Sequence, residues 1–262
     1  MNSDPHVSAE MWLRIDEELR DIETAENVRI VLAVESGSRA WRFPSPDSDY
    51  DVRFIYLRPH DDYLTVTPMR DVIERPIDAV LDVNGWDLRK ALGLMAGSNA
   101  VLQEWLTSPI RYRADDRLVS RLQELAVATA DIDAYCYHYD RMARRHFEAI
   151  AETSTPRLKS YCYALRPILA LKWLRLHGGL PPMDLPRLLD GIDLAARLRL
   201  AIADLVAAKA KAAERDVIAR QPDFDAFIAD ALKERMTRPL QRPPQALAAV
   251  NRFFAETVLA QR

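Results

Sequence analysis

The chain has 262 residues, 36 of them Lys or Arg and 39 Asp or Glu, for a net charge of −3. That balance excludes a globally basic nucleic-acid binder, so a polyanionic partner would need a local positive stripe. No apolar run reaches the length of a membrane span, and Cys136, Cys162 and the five histidines show no metal-ligand spacing.

With a polar, acidic start (Met1-Asn-Ser-Asp-Pro) that lacks signal-peptide features, the expected setting is a reducing cytoplasm. Residues 8–24 carry amphipathic helical periodicity, and Asn27–Glu35 then enters a β-rich run. The run ends in Gly37-Ser38. A glycine there lets backbone amides approach a phosphate, and Ser38 adds a hydroxyl. Ser38–Trp41 is expected to open a helical turn whose free N–H groups favour an anion, with Pro44 and Pro46 ending it. Arg39, beside the turn, is a candidate phosphate contact.

The chain returns as a strand over Asp49–Tyr56. Strand side chains alternate faces, so Asp49 and Asp51 project together and Arg53 shares their side. Two carboxylates so close repel unless a positive charge sits between them, and a divalent cation serves best. The pair opens a buried strand (Val52, Phe54, Ile55, Tyr56), which argues against a haloacid-dehalogenase-type phosphatase, whose pair ends its strand. A glycosyltransferase Asp-x-Asp stays open as an alternative, although a Rossmann-like donor domain should precede it and only about 48 residues do. An extended segment, Ala79–Asp87, leads into a helical run, Leu88–Met95.

Beyond residue 115 apolar residues recur at three- and four-residue intervals. Helices are expected over 116–129, 131–152, 158–177, 193–213, 222–236 and 243–259, with breaks at Ser154-Thr-Pro and Gly178-Gly-Leu-Pro-Pro. Tyr135–Phe147 interleaves aromatics with Arg141, Arg144, Arg145 and His146. That is either a grip for a nucleic-acid backbone and a base, or a solvated helix face over packed tyrosines.

Gly37-Ser38, a gap of about ten residues and then Asp49-Tyr-Asp51-Val resembles the motif of the DNA polymerase β-like nucleotidyltransferase superfamily. More narrowly, Gly37–Tyr56, Gly85–Leu92, Leu102–Ile110 and Tyr161–Trp173 are similar to predicted nucleotidyltransferases associated with RNA repair. One position departs from that pattern: Arg42 stands where glycine is expected, which bears on the loop backbone and not on the carboxylates.

The resemblance implies an α+β protein, with a small mixed catalytic sheet over 1–114 followed by an all-helical domain over 115–262. It implies transfer of an NMP from an NTP, with Mg²⁺ or Mn²⁺ held by Asp49, Asp51 and a third carboxylate. Asp87 is favoured as that third acid, with Asp82 the alternative, and Asp87 also reads as a simple helix N-cap. Gly37, Ser38, Arg39 and Lys172 are the expected nucleotide contacts, Lys172 through a lysine–tryptophan helix like that of nucleotidyl-adding relatives, and Lys159 and Tyr163 are weaker candidates. An RNA end is the expected acceptor. The alternatives are a protein side chain, as in AMPylation-type enzymes, or a nucleotide- or RNA-binding regulator without turnover.

Overall fold

The computed structural model describes residues 4–78, 80–233 and 244–261. The described chain forms two compact units. One takes the chain through Ala40, Asp49–Ala130 and the C-terminal helix; the other takes Trp41–Ser48 and the helices between Asp131 and that last helix.

In the first unit, α1 (Ala9–Glu26) starts at Ser8, whose Oγ accepts from the Met11 N–H at 3.2 Å, and stops at Asn27 in the left-handed region (φ 51°). Five strands follow: β1 (Arg29–Ser36), β2 (Tyr50–Leu57), β3 (Val72–Glu74), β4 (Leu81–Asp87) and β5 (Arg111–Ala114). Their order is β3-β4-β2-β1-β5. β2 and β4 run parallel and the other pairs antiparallel, so the sheet is mixed.

Its central strands are apolar because both faces are covered. Ile15, Leu19 and Ile22 of α1 pack against Ile30, Ala33, Val52, Phe54 and Val83. The other face, with Val31, Leu32, Val34 and Ile55, is covered by α3 (Leu88–Met95), α4 (Ala100–Thr107), α5 (Asp116–Ala128) and α11 (Pro244–Leu259). The expected division after residue 114 differs from these units. Leu118, Val119 and Leu122 of α5, and Val250, Phe253 and Val258 of α11, bury their apolar stripes in the sheet's own core.

The second unit is helical: α6 (Ile132–Ala151), α7 (Leu158–His177), α8 (Leu185–Asp190), α9 (Ala196–Lys209) and α10 (Pro222–Ala231). α7 is its centre, with α6, α8, α9 and α10 packed on it. It ends at Gly178 with φ 60°. The expected helix over 193–213 is shorter at both ends. Positions 234–236 and 243 of the expected 222–236 and 243–259 helices lie outside the described residues.

Trp41–Ser48 belongs to this unit through specific bonds. The Leu185 N–H donates to the Trp41 carbonyl at 3.1 Å, and Lys209 Nζ donates to Ser45 Oγ at 2.8 Å. Ser48 Oγ donates to Glu214 Oε1 at 3.2 Å, and the Glu214 N–H donates to Asp47. Within this loop Arg42 has φ 69°, a left-handed conformation in which glycine is at ease and arginine is not.

Candidate active site

Three adjacent strands assemble the site. β1 ends in Ser36, which pairs with Asp51 of β2, and Asp51 pairs in turn with Asp82 of β4. Gly37 follows at φ 67° and opens the four-residue helical turn α2 (Gly37–Ala40). A Cβ on Gly37 would lie 2.2 Å from Asp51 Oδ2, so only a bare Cα lets that carboxylate come so close to the turn.

Arg53, two residues along β2, ties two of the acids together. Its Nη2 donates to Asp82 Oδ2 at 2.7 Å and to Asp51 Oδ1 at 3.2 Å, while Nη1 donates to the Val52 and Asp82 carbonyls at 3.0 Å. Burial pushes the Asp51 carboxyl up to about 6; the charges of Asp82 and Asp49 push the same way, and Arg53 and Arg39 oppose them. Its ionised form is thus disfavoured.

Behind Asp51 sits Glu35, fully buried in an otherwise apolar strand. Its Oε1 accepts from the Asp51 N–H at 2.8 Å, and its Oε2 from the Tyr112 hydroxyl. The Glu35 carbonyl accepts from Ser108 Oγ at 2.7 Å. Burial raises the Glu35 carboxyl to about 8 against the pull of these hydrogen bonds. Glu35 therefore fixes the backbone that carries Asp51. Sequence reasoning did not single it out, although a lone acid inside Val31-Leu-Ala-Val-Glu35 was the available signal.

Asp49 is exposed at the entry to β2, and its carbonyl accepts from Arg39 Nε at 3.2 Å. Arg39 also donates to the His6 carbonyl at 2.7 Å and lies 3.7 Å over the Tyr50 ring. The structure thus uses Arg39 as a brace between the turn and the Asp49–Tyr50 backbone. Ser38 is buried beside Gly37. Lys172 lies on α7 in the helical unit, its ammonium 5.6 Å from the Phe227 ring. Lys159 pairs with Glu214.

Asp87 is not brought to the other acids. It stands at the opposite end of β4, paired with Tyr56, five residues beyond Asp82 and so roughly 16 Å along the strand. Its Oδ1 accepts from the Arg89 N–H at 2.7 Å as the N-cap of α3, and its Oδ2 from the Tyr63 hydroxyl at 3.0 Å. Asp82, not Asp87, is level with Asp51, because the parallel register of β2 and β4 sets which acids meet.

Among the described residues, no three His, Cys, Asp or Glu side chains close up into a metal-holding group by themselves. Asp49, Asp51 and Asp82 offer only oxygen, and Mg²⁺ is held by one or two carboxylates together with waters and substrate phosphates.

The mixed sheet thus sets Asp51 level with Asp82 and against the Gly37-Ser38 turn. The chain belongs to the RNA repair pathway DNA polymerase beta family, whose model matches residues 11–256. It is 42% identical over 251 residues to the uncharacterized protein YcgL of Bacillus subtilis (strain 168), covering 95% of this chain and 96% of that protein. Among solved structures it matches a nucleotidyltransferase-like protein from Exiguobacterium sibiricum 255-15 at 13% identity and a TM-score of 0.30. That match spans 94% of this chain and 77% of the other.

Proposed function

We propose that this protein transfers a nucleoside monophosphate from an NTP to the hydroxyl of an RNA end and releases pyrophosphate. The observation that carries the reading is Asp51: its carboxylate lies against the bare Cα of Gly37 and level with Asp82. The family description favours RNA as the acceptor.

In this reading Asp49 and Asp51 hold Mg²⁺ or Mn²⁺, with Asp82 as the third carboxylate. Once bound, the cation draws charge from the triphosphate oxygens. Gly37 and Ser38 give the phosphates a close backbone approach and a hydroxyl donor. Asp82 takes the proton of the acceptor hydroxyl as its oxygen bonds to the α-phosphorus and the bond to the β-phosphate breaks. Arg53 keeps Asp51 and Asp82 in one register, and Glu35 holds the Asp51 backbone. Lys172 enters as a further triphosphate contact on the strength of the resemblance alone.

The test is incubation with each labelled NTP, Mg²⁺ or Mn²⁺, and either a mixed RNA pool or a protein extract. Label is expected in RNA, and Asp51→Asn and Asp82→Asn each lower its rate by about 10²-fold or more, whereas Asp87→Asn leaves the rate within a few fold. Label in protein would move the acceptor to a side chain. Nucleotide binding with no pyrophosphate released would make the chain a regulator, and label surviving Asp51→Asn would remove the assignment of the acids.

A further inference from the structure

The helical unit contains a cavity of about 190 Å³ lined by Trp41, Tyr163, His146, Met142, Arg145 and Arg166, among others. A cavity of about 150 Å³ takes up benzene, so this one has room for a flat aromatic ring system. Its walls are themselves aromatic: Tyr163 meets Trp41 edge-on at 5.3 Å between ring centres and His146 at 5.7 Å. The Trp41 indole N–H is buried with no acceptor among the described residues, which leaves it open to one that a bound group supplies.

The charged side chains lining the cavity are both guanidinium groups. Arg166 is buried, donates to the Met183 carbonyl at 3.2 Å and lies 4.4 Å over the Trp41 ring. Arg145 is exposed. Arg141, also exposed, stands one helical turn away on α6, so the two form a short cationic stripe leading from the cavity. No carboxylate is among the described lining residues. A metal-bound triphosphate wants hard oxygen ligands near its phosphates; guanidinium groups alone suit the singly charged phosphodiesters of a strand. Stacking walls beside a positive track are the recognised means of holding single-stranded nucleic acid.

From this arrangement we infer that the cavity receives one unpaired nucleobase of a single-stranded RNA, with the adjoining phosphates on Arg145 and Arg141. The base stacks among Trp41, Tyr163 and His146, and an acceptor on its edge takes the Trp41 N–H. The inference rests on the reading above that RNA is the acceptor, and gives the helical unit the task of holding it.

The experiment is fluorescence anisotropy with an end-labelled single-stranded RNA of about ten mixed nucleotides, without divalent cation, beside NTP binding measured with Mg²⁺. Arg145→Ala and Tyr163→Leu are each expected to weaken RNA binding by about tenfold, and Arg145→Ala leaves NTP affinity unchanged. Arg145→Ala also lowers the salt slope by about one. Trp41→Phe keeps a ring, removes the orphan N–H and weakens RNA binding less than Tyr163→Leu. If Tyr163→Leu fails to fold, the exposed Arg145→Ala and the conservative Trp41→Phe carry the test.

RNA affinity unchanged in these variants, no RNA binding by the native protein, or a loss of NTP affinity in place of RNA affinity would each overturn the inference. The two readings fail separately. Asp51→Asn should abolish transfer and leave RNA affinity intact, and transfer that depends on Asp51 while ignoring Arg145 and Tyr163 sinks the cavity assignment alone.

Discussion

Alanine in place of Gly37 probes the site where it is tightest. The new Cβ would stand 2.2 Å from Asp51 Oδ2, against the 3.4 Å at which ordinary contact begins, so the carboxylate must retreat by roughly 1.2 Å. That retreat also disturbs the 3.2 Å bond from Arg53 to Asp51 Oδ1. A misplacement of about 1 Å costs on the order of 10²-fold in rate. The backbone adds a separate cost, because φ is 67° at this position and an L-residue there loses about 1–2 kcal/mol. Gly93 supplies the control: it lies inside α3, and a methyl group added there would meet nothing within 4 Å. Gly93→Ala should gain about 0.5–1 kcal/mol from helix propensity at unchanged rate. Pyrophosphate release at saturating NTP, paired with urea unfolding, separates the two effects. Native turnover by Gly37→Ala, alongside the expected drop in stability, would refute the idea that Asp51's position against the turn matters to the chemistry.

Arg42→Gly should stabilise the protein by about 0.5–1 kcal/mol in thermal or urea unfolding, since it relieves a left-handed arginine. Asp115 caps α5 by accepting from the Leu118 N–H at 3.0 Å, and that hydrogen bond, before any other cause, holds its carboxyl below the ordinary 3.8. Asp115→Ala should cost about 1 kcal/mol at neutral pH. The native advantage is whole above about pH 4 and drains away as pH falls through the lower folded value, which urea midpoints at stepped pH will show. Burial pushes the Cys162 thiol up to about 12, so a thiol reagent at pH 8 should label it only after denaturant is added; prompt labelling in the folded state would contradict the packing around α7.

What the sequence revealed and what it hid divide along local and non-local lines. α7 and α3 follow from apolar periodicity and from the Asp87 and Gly178 signals at their ends. The closeness of Gly37 and Asp51 was readable because the two lie within fifteen residues of chain. That Asp82 and not Asp87 stands level with Asp51 was hidden, because nothing local to β4 records where it aligns with β2. β5 was invisible for another reason: Arg111-Tyr-Arg-Ala is a charged edge strand without alternating apolar residues. The α5 and α11 stripes looked like any amphipathic helix, and periodicity does not say which core a stripe will join.

The eight residues Trp41–Ser48 have a practical consequence for anyone dissecting this molecule. They separate the glycine-serine bend from the aspartate pair, yet their anchors, Lys209, Glu214 and Leu185, come from chain synthesised more than a hundred residues later. A fragment that stops at residue 114 would keep every acid and lose the clasp on the loop joining them, together with the two outer helices that seal the sheet. Expression trials on such a piece should be judged by solubility before inactivity is blamed on chemistry.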